Sequence, residues 1–151
     1  MQTHPIVRVL CVLLGLLIWL GLAIPPVMAA PADPLKQAPI EVTVSLGNEA
    51  NELKFGPDYL EFQTGKRYKL ILSNPSPQKH YFTAKDFADG IWTQKVEAGR
   101  VEVKGAIHEL ELKPAAIAEW VFIPLKAGQY EVRCPIPGHT EAGMRGKLLV
   151  Q

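Results

Sequence analysis

Apolar and polar residues alternate in a series of short runs from position 40 to the end of the chain. Ile40-Glu-Val-Thr-Val-Ser-Leu46, Tyr59-Leu-Glu-Phe-Gln63, Tyr68-Lys-Leu-Ile-Leu-Ser73, Ile107-His-Glu-Leu-Glu-Leu112 and Gly128-Gln-Tyr-Glu-Val-Arg-Cys134 each follow the period of a half-buried strand. Glu119-Trp-Val-Phe-Ile123 reads as a buried strand, and Gly146-Lys-Leu-Leu-Val150 as a last one. His80-Tyr-Phe-Thr83 is expected to begin an extended stretch after the turn Asn74-Pro-Ser-Pro77. Residues 84–105 keep no clear period. Ala84 to Phe87 suits a single helical turn, and Gly90, Gly99 and Gly105 punctuate the remainder. Seven or eight short strands separated by turn signals, with almost no helix, predict an all-β sandwich or barrel with Greek-key connections, and the Greek-key β-sandwich is the fold expected here.

The N-terminus has a different pattern. Arg8 precedes an apolar run from Val9 to Ile24, which Pro25 and Pro26 end. A basic start, an apolar stretch and the small residues Ala30-Pro-Ala32 describe a secretory signal over residues 1–32, with Asp33 as the first mature residue. Cleavage after Ala29 and retention of the segment as an uncleaved anchor are the alternatives. The run is shorter than the roughly 20 residues that usually span a bilayer. Residues 33–39, with Pro34 and Pro39, read as a linker to a single domain over 40–151.

Composition and charge exclude little else. The chain of 151 residues is 48% hydrophobic, enough for a packed core, and its net charge is +1. Without residues 1–32 it loses Arg8 and no acid, so basic and acidic residues balance. That balance and the lack of a nucleic-acid motif argue against nucleic-acid binding. Cys11 lies inside the apolar run and reads as a small hydrophobe. Cys134 is then the one cysteine of the exported domain, with no partner for an internal disulfide. Metal ligation would account for a lone thiol in an oxidising compartment.

The stretch Cys134-Pro-Ile-Pro-Gly-His139-Thr-Glu-Ala-Gly-Met144 supplies that chemistry, because thiolate, imidazole and thioether recur every five positions between two strands. This is a soft donor set. Thiolate and thioether select Cu(I), and imidazole suits copper in either oxidation state. One further imidazole would complete a trigonal site of one Cys and two His with a weak axial Met, the blue-copper arrangement. His80, at the end of a different inter-strand turn, is the candidate, since loops cluster at the ends of a sandwich. Zinc accepts Cys and His, but Met is a poor zinc ligand. His80, Cys134, His139 and Met144 are therefore the expected metal ligands, with one copper per chain. Ile136, Pro137, Ala142 and Met144 are expected to form an apolar rim around an exposed edge of His139. Lys79 and Arg145 flank two ligands and form a mildly basic rim, with Glu141 nearby. His108 falls outside the pattern and is assigned no function.

Over roughly residues 40–151 the chain resembles the cupredoxins of the plastocyanin/azurin family. The resemblance is most specific in Tyr130-Glu-Val-Arg-Cys134-Pro-Ile-Pro-Gly-His139-Thr-Glu-Ala-Gly-Met144-Arg-Gly-Lys-Leu, with support from Thr64-Gly65, Leu70-Ile-Leu-Ser-Asn74 and His80. The spacing of Cys, His and Met is similar to that in rusticyanin and auracyanin. The resemblance implies a Greek-key sandwich, one type 1 copper and an electron-carrier role. Two positions depart from the family. Many members carry Asn or Ser after the first ligand His and Ser or Thr after the Cys, and these side chains tie the two ligand loops together. Here the residues are Tyr81 and Pro135.

The expected function is that of an exported, non-enzymatic, monomeric blue-copper protein in the periplasm or an equivalent compartment. It would carry single electrons between larger redox proteins, such as a cytochrome or a membrane electron-transfer complex. A periplasmic copper chaperone or buffer is the alternative. Met144 as the one methionine of the exported domain weighs against it, because such proteins use Met- and His-rich segments. A copper enzyme of the nitrite reductase or multicopper oxidase type needs further ligands, and His108 alone remains to supply them. A metal-free β-sandwich interaction module would keep its function when Cys134 is replaced by Ser.

Overall fold

The computed structural model describes residues 33–151, so the expected signal or anchor over 1–32 lies outside the described residues. Among the described residues, no helix is long and apolar enough to cross a membrane.

Among the described residues, eleven strands and one short α-helix follow each other: β1 (Ile40–Leu46), β2 (Phe55–Gly56), β3 (Tyr59–Phe62), β4 (Tyr68–Ser73), β5 (His80–Thr83), α1 (Lys85–Asp89), β6 (Ile91–Ala98), β7 (Val101–Val103), β8 (Glu109–Leu112), β9 (Ile117–Pro124), β10 (Gly128–Arg133) and β11 (Arg145–Val150). They form two sheets, one in the order β2-β1-β4-β9-β6-β7 and the other in the order β3-β11-β10-β5-β8. All eight strands expected from alternation are present within a residue or two. The helical turn expected at Ala84–Phe87 is α1, shifted by one residue at its start.

Three strands were not expected. β2 and β7 are too short to show a period. β6 is eight residues long, and its alternation is interrupted by a register shift between Thr93 and Lys95 against β9. The extra residue of a bulge moves the inward positions from a spacing of two to a spacing of three. Ile91 and Val96 are both buried, and Thr93 accepts a hydrogen bond from the indole of buried Trp120 at 3.1 Å. A period-two reading fails across such a step.

The apolar faces of the two sheets meet in one core. Leu70, Leu72, Trp120 and Phe122 from the first sheet pack with Phe62, Phe82, Val132 and Leu148 from the second, joined by Phe87 of α1. The rings interlock edge to face: Phe82 with Trp120 at 6.3 Å, Phe62 with Phe122 at 5.4 Å and Phe87 with Phe122 at 5.4 Å between centroids. Each such ring contributes roughly 1.5–3 kcal/mol through burial, and edge-to-face contact adds to that. The result is an all-β two-layer sandwich. In the segment read as a linker, Pro34–Lys36 forms one 3-10 turn, and Arg67 donates to the carbonyl of Gln37 at 2.9 Å.

Candidate metal centre

Two segments meet at one end of the sandwich. The first is the turn from β4 into β5. Asn74 is buried, and its amide nitrogen donates to the carbonyls of Gln78 at 2.9 Å and Leu112 at 2.8 Å. Its carbonyl oxygen accepts from the Ser76 amide at 3.0 Å. These bonds fix the turn, so His80 enters β5 in register with Leu112 of β8 and points inward.

The second segment is the connection from β10 to β11. Its backbone closes on itself: Cys134 donates to Met144 at 3.0 Å, Met144 to His139 at 2.9 Å, and His139 to Ile136 at 2.9 Å. The Thr140 hydroxyl donates to the Cys134 carbonyl at 2.8 Å. Gly138 and Gly143 take positive φ values of 85° and 111°, which a side chain would disfavour. The three potential ligands of this loop are thereby gathered within one compact turn.

His80, Cys134 and His139 offer ligand atoms that all lie within 4.8 Å of one another, and all three residues are buried. Cys134 Sγ stands 3.5 Å from His139 Nδ1, and the two imidazole centroids are 5.2 Å apart. Ligands held about 2.0–2.3 Å from a shared transition-metal ion in a trigonal plane are themselves separated by about 3.6 Å, so the spacing fits. Met144 is fully buried and is bonded through its backbone to both Cys134 and His139. All four residues named from the sequence come to the same end of the sandwich.

His80 carries the clearest mark of a missing partner. It is fully buried, and neither ring nitrogen has a hydrogen bond among the described residues. Burying an unpaired polar group is costly, and a metal on one nitrogen removes much of that cost. Burial, followed by the neighbouring His139, pushes the His80 pKa down, which keeps the imidazole neutral and able to ligate. Its Nε2 faces Gly47, where an added Cβ would lie only 3.1 Å away.

The surroundings differ from the sequence expectation in two respects. His139 is only 8% exposed, and Met144 is fully buried. The apolar rim thus consists of half-buried Ile136 with exposed Pro137 and Ala142, over a mostly covered imidazole. Lys79 is not a free cation. It pairs with Glu111 at 3.3 Å and lies over the Tyr81 ring, 5.4 Å from its centroid. The Tyr81 hydroxyl also bonds Glu111, so the side chain that replaces the family's Asn or Ser reaches β8 instead of the ligand loop. The two ligand segments are instead joined by a hydrogen bond that the Tyr81 backbone N–H donates to the Cys134 side chain, at 3.4 Å from Sγ. Hydrogen bonds to a ligating sulfur tune a copper site's potential. His108 lies apart from the centre and pairs with Asp89 at 2.7 Å.

Comparison with known proteins agrees with this geometry. A family model described as copper binding proteins, plastocyanin/azurin family, matches residues 42–151. The chain is 27% identical over 129 residues to the copper-resistant cuproprotein CopI of Rubrivivax gelatinosus, covering 80% of this chain and 72% of that protein. Among solved structures, auracyanin from Roseiflexus castenholzii superposes with a TM-score of 0.54 at 19% identity, covering 76% of this chain and 99% of auracyanin. The copper-containing nitrite reductase of Thermus scotoductus gives a TM-score of 0.59 at 13% identity, covering 78% of this chain but only 32% of the enzyme. Both superpositions show the fold.

Proposed function

Since the chain belongs to the plastocyanin/azurin family of copper-binding proteins, we propose that it is an exported carrier of single electrons with one type 1 copper and no catalytic activity of its own. The observation that carries this reading is His80, a buried imidazole with no partner for either nitrogen, set beside Cys134 and His139 at ligand spacing. Copper bound there would supply a one-electron couple between Cu(II) and Cu(I). Cys134, His80, His139 and Met144 would be the side chains that hold it, a thiolate, two imidazoles and a thioether. The protein's own part is to keep these side chains still. Strand ends fix His80 and Cys134, and the closed backbone of the 134–144 loop fixes the other two. Little movement between oxidation states means little reorganisation per electron. The 8% exposure of His139 leaves a short route to a docked protein while excluding solvent.

A copper-handling role is the second reading, and the similarity to a copper-resistant cuproprotein favours it. The two differ in what happens to the metal. A carrier exchanges electrons quickly and keeps its copper, whereas a handling protein gives the copper up to a competing ligand. The test is to load the protein with copper and measure both its electron self-exchange rate and its copper loss to a Cu(I) chelator. Fast exchange with copper retained supports the carrier. Slow exchange with ready release overturns it.

A further inference from the structure

β10 and β11 end at the metal centre with an unusual cross-strand pair. Arg133 immediately precedes Cys134, and Arg145 immediately follows Met144. In the antiparallel ladder the two arginines are direct partners. Both are exposed on the outer face of the second sheet. Like charges directly opposite each other on adjacent strands disfavour the pairing. No ion pair among the described residues includes either guanidinium, and Asp58 and Glu131, which line a shallow hollow with Arg145, form none with it. The nearest acid on this face of β10, Glu131, lies one pleat farther from the metal, in register with Lys147. Lys79, the other cation near the ligands, is already committed to Glu111.

From this pair we propose that Arg133 and Arg145 form the docking surface for an acidic redox protein, one that presents a cluster of carboxylates around its own redox centre. This rests on the electron-carrier reading and names the partner's chemistry. The site suits a protein face better than a small anion. The arginines stand on an open, pleated surface, with Thr83 beside Arg133 in the next strand and no buried donor to enclose a single ion. Two guanidiniums on neighbouring strands match carboxylates spread over a similar width, and each can bind one in bidentate fashion. A partner docked here is one peptide unit from Cys134. Opposite charge also speeds the encounter and makes it salt-dependent. With copper held by the four ligands, such a partner would give up one electron as Cu(II) became Cu(I), with no bond made or broken.

The test separates docking from electron flow. The Cu(I)-loaded, isotopically labelled protein is titrated with ferric cytochrome b5, an acidic haem protein, while amide shifts are followed by NMR at low and at physiological salt. Shifts are expected at Thr83, Arg133 and Arg145. The doubly substituted R133Q/R145Q protein should bind about tenfold more weakly at low salt, since each exposed pair is worth a few-fold, with a flatter salt dependence. The R133K/R145K protein keeps both charges but not the bidentate forks, so it should bind more weakly than the parent and more tightly than R133Q/R145Q, an order that a folding defect would not give. Shifts centred on Ile136 and Pro137, or equal affinity for the parent and R133Q/R145Q, would overturn the docking proposal. If docking holds but ferrous cytochrome b5 fails to reduce the Cu(II) form, the docking surface stands and the carrier reading falls.

Discussion

Gly47 gives the sharpest structural prediction, because a neighbouring control comes with it. At Gly47 φ is +75°, and an added Cβ would lie 3.1 Å from His80 Nε2, 3.1 Å from Ser76 Cβ and 3.3 Å from the Glu52 carbonyl. At Gly65 φ is +73°, yet an added Cβ meets nothing within 4 Å. Alanine at either position bears the same left-handed backbone cost, roughly 1–2 kcal/mol, partly offset by a less flexible unfolded chain at about 0.4–1 kcal/mol. Gly65→Ala should therefore lose about 1 kcal/mol. Gly47→Ala should lose a further 1–3 kcal/mol or so, the cost of overpacking a filled site. At roughly 4 °C per kcal/mol for a domain of this size, the two variants should melt about 4–12 °C apart. The excess also falls on a ligand. An added methyl would press on His80 Nε2, so Gly47→Ala should alter the visible spectrum and the reduction potential of the copper-loaded protein, whereas Gly65→Ala leaves both unchanged. Differential scanning calorimetry and a redox titration of the two variants check this. Equal melting points with identical spectra would show that Gly47 does not hold the imidazole in place.

Three further predictions concern the ligands and the core. The depressed pKa of His80 makes the metal-free protein sensitive to acid. As pH falls below the ordinary imidazole value the unfolded state takes up a proton that the folded state refuses, so stability is full above about pH 7 and declines toward pH 5. Melting curves of metal-free parent and His80→Gln should diverge in slope over that range, and parallel curves would contradict the assignment. Met144→Leu should keep the intense colour and raise the reduction potential, because an axial thioether favours Cu(II) more than an alkyl group does; a lowered potential in a voltammetric titration would refute the axial role. Phe87→Ala should cost about 3–5 kcal/mol in urea unfolding, since its ring touches Phe62, Trp120, Phe122 and Tyr130. It should leave the copper spectrum intact, and a loss under 1 kcal/mol would mean the core does not depend on α1.

Much of this protein is legible along the chain because its information is local. Strands such as β1 and β4 show their inward face by simple alternation, and three of the four ligand candidates occupy one short loop. His80 was within reach because Asn74 and two prolines mark the turn before it. What was not legible depends on pairing between distant segments. β6 hid behind a bulge whose step is defined only against β9. Lys79 looked free until β5 and β8 brought Glu111 beside it. The Arg133–Arg145 pair needs the register of β10 on β11, and the hold of Gly47 on His80 needs the packing of β1 against the β4–β5 turn.

The central claim is that Cys134, His80, His139 and Met144 would together hold one copper. Its most direct test is the visible and EPR spectrum of the purified protein with one equivalent of Cu(II), before and after ascorbate, beside the same measurement on Cys134→Ser. The account predicts an intense thiolate-to-copper band with a narrow copper hyperfine splitting, bleached reversibly by ascorbate and absent from the variant. A faint spectrum of nitrogen- and oxygen-bound Cu(II), unchanged by Cys134→Ser, would contradict it.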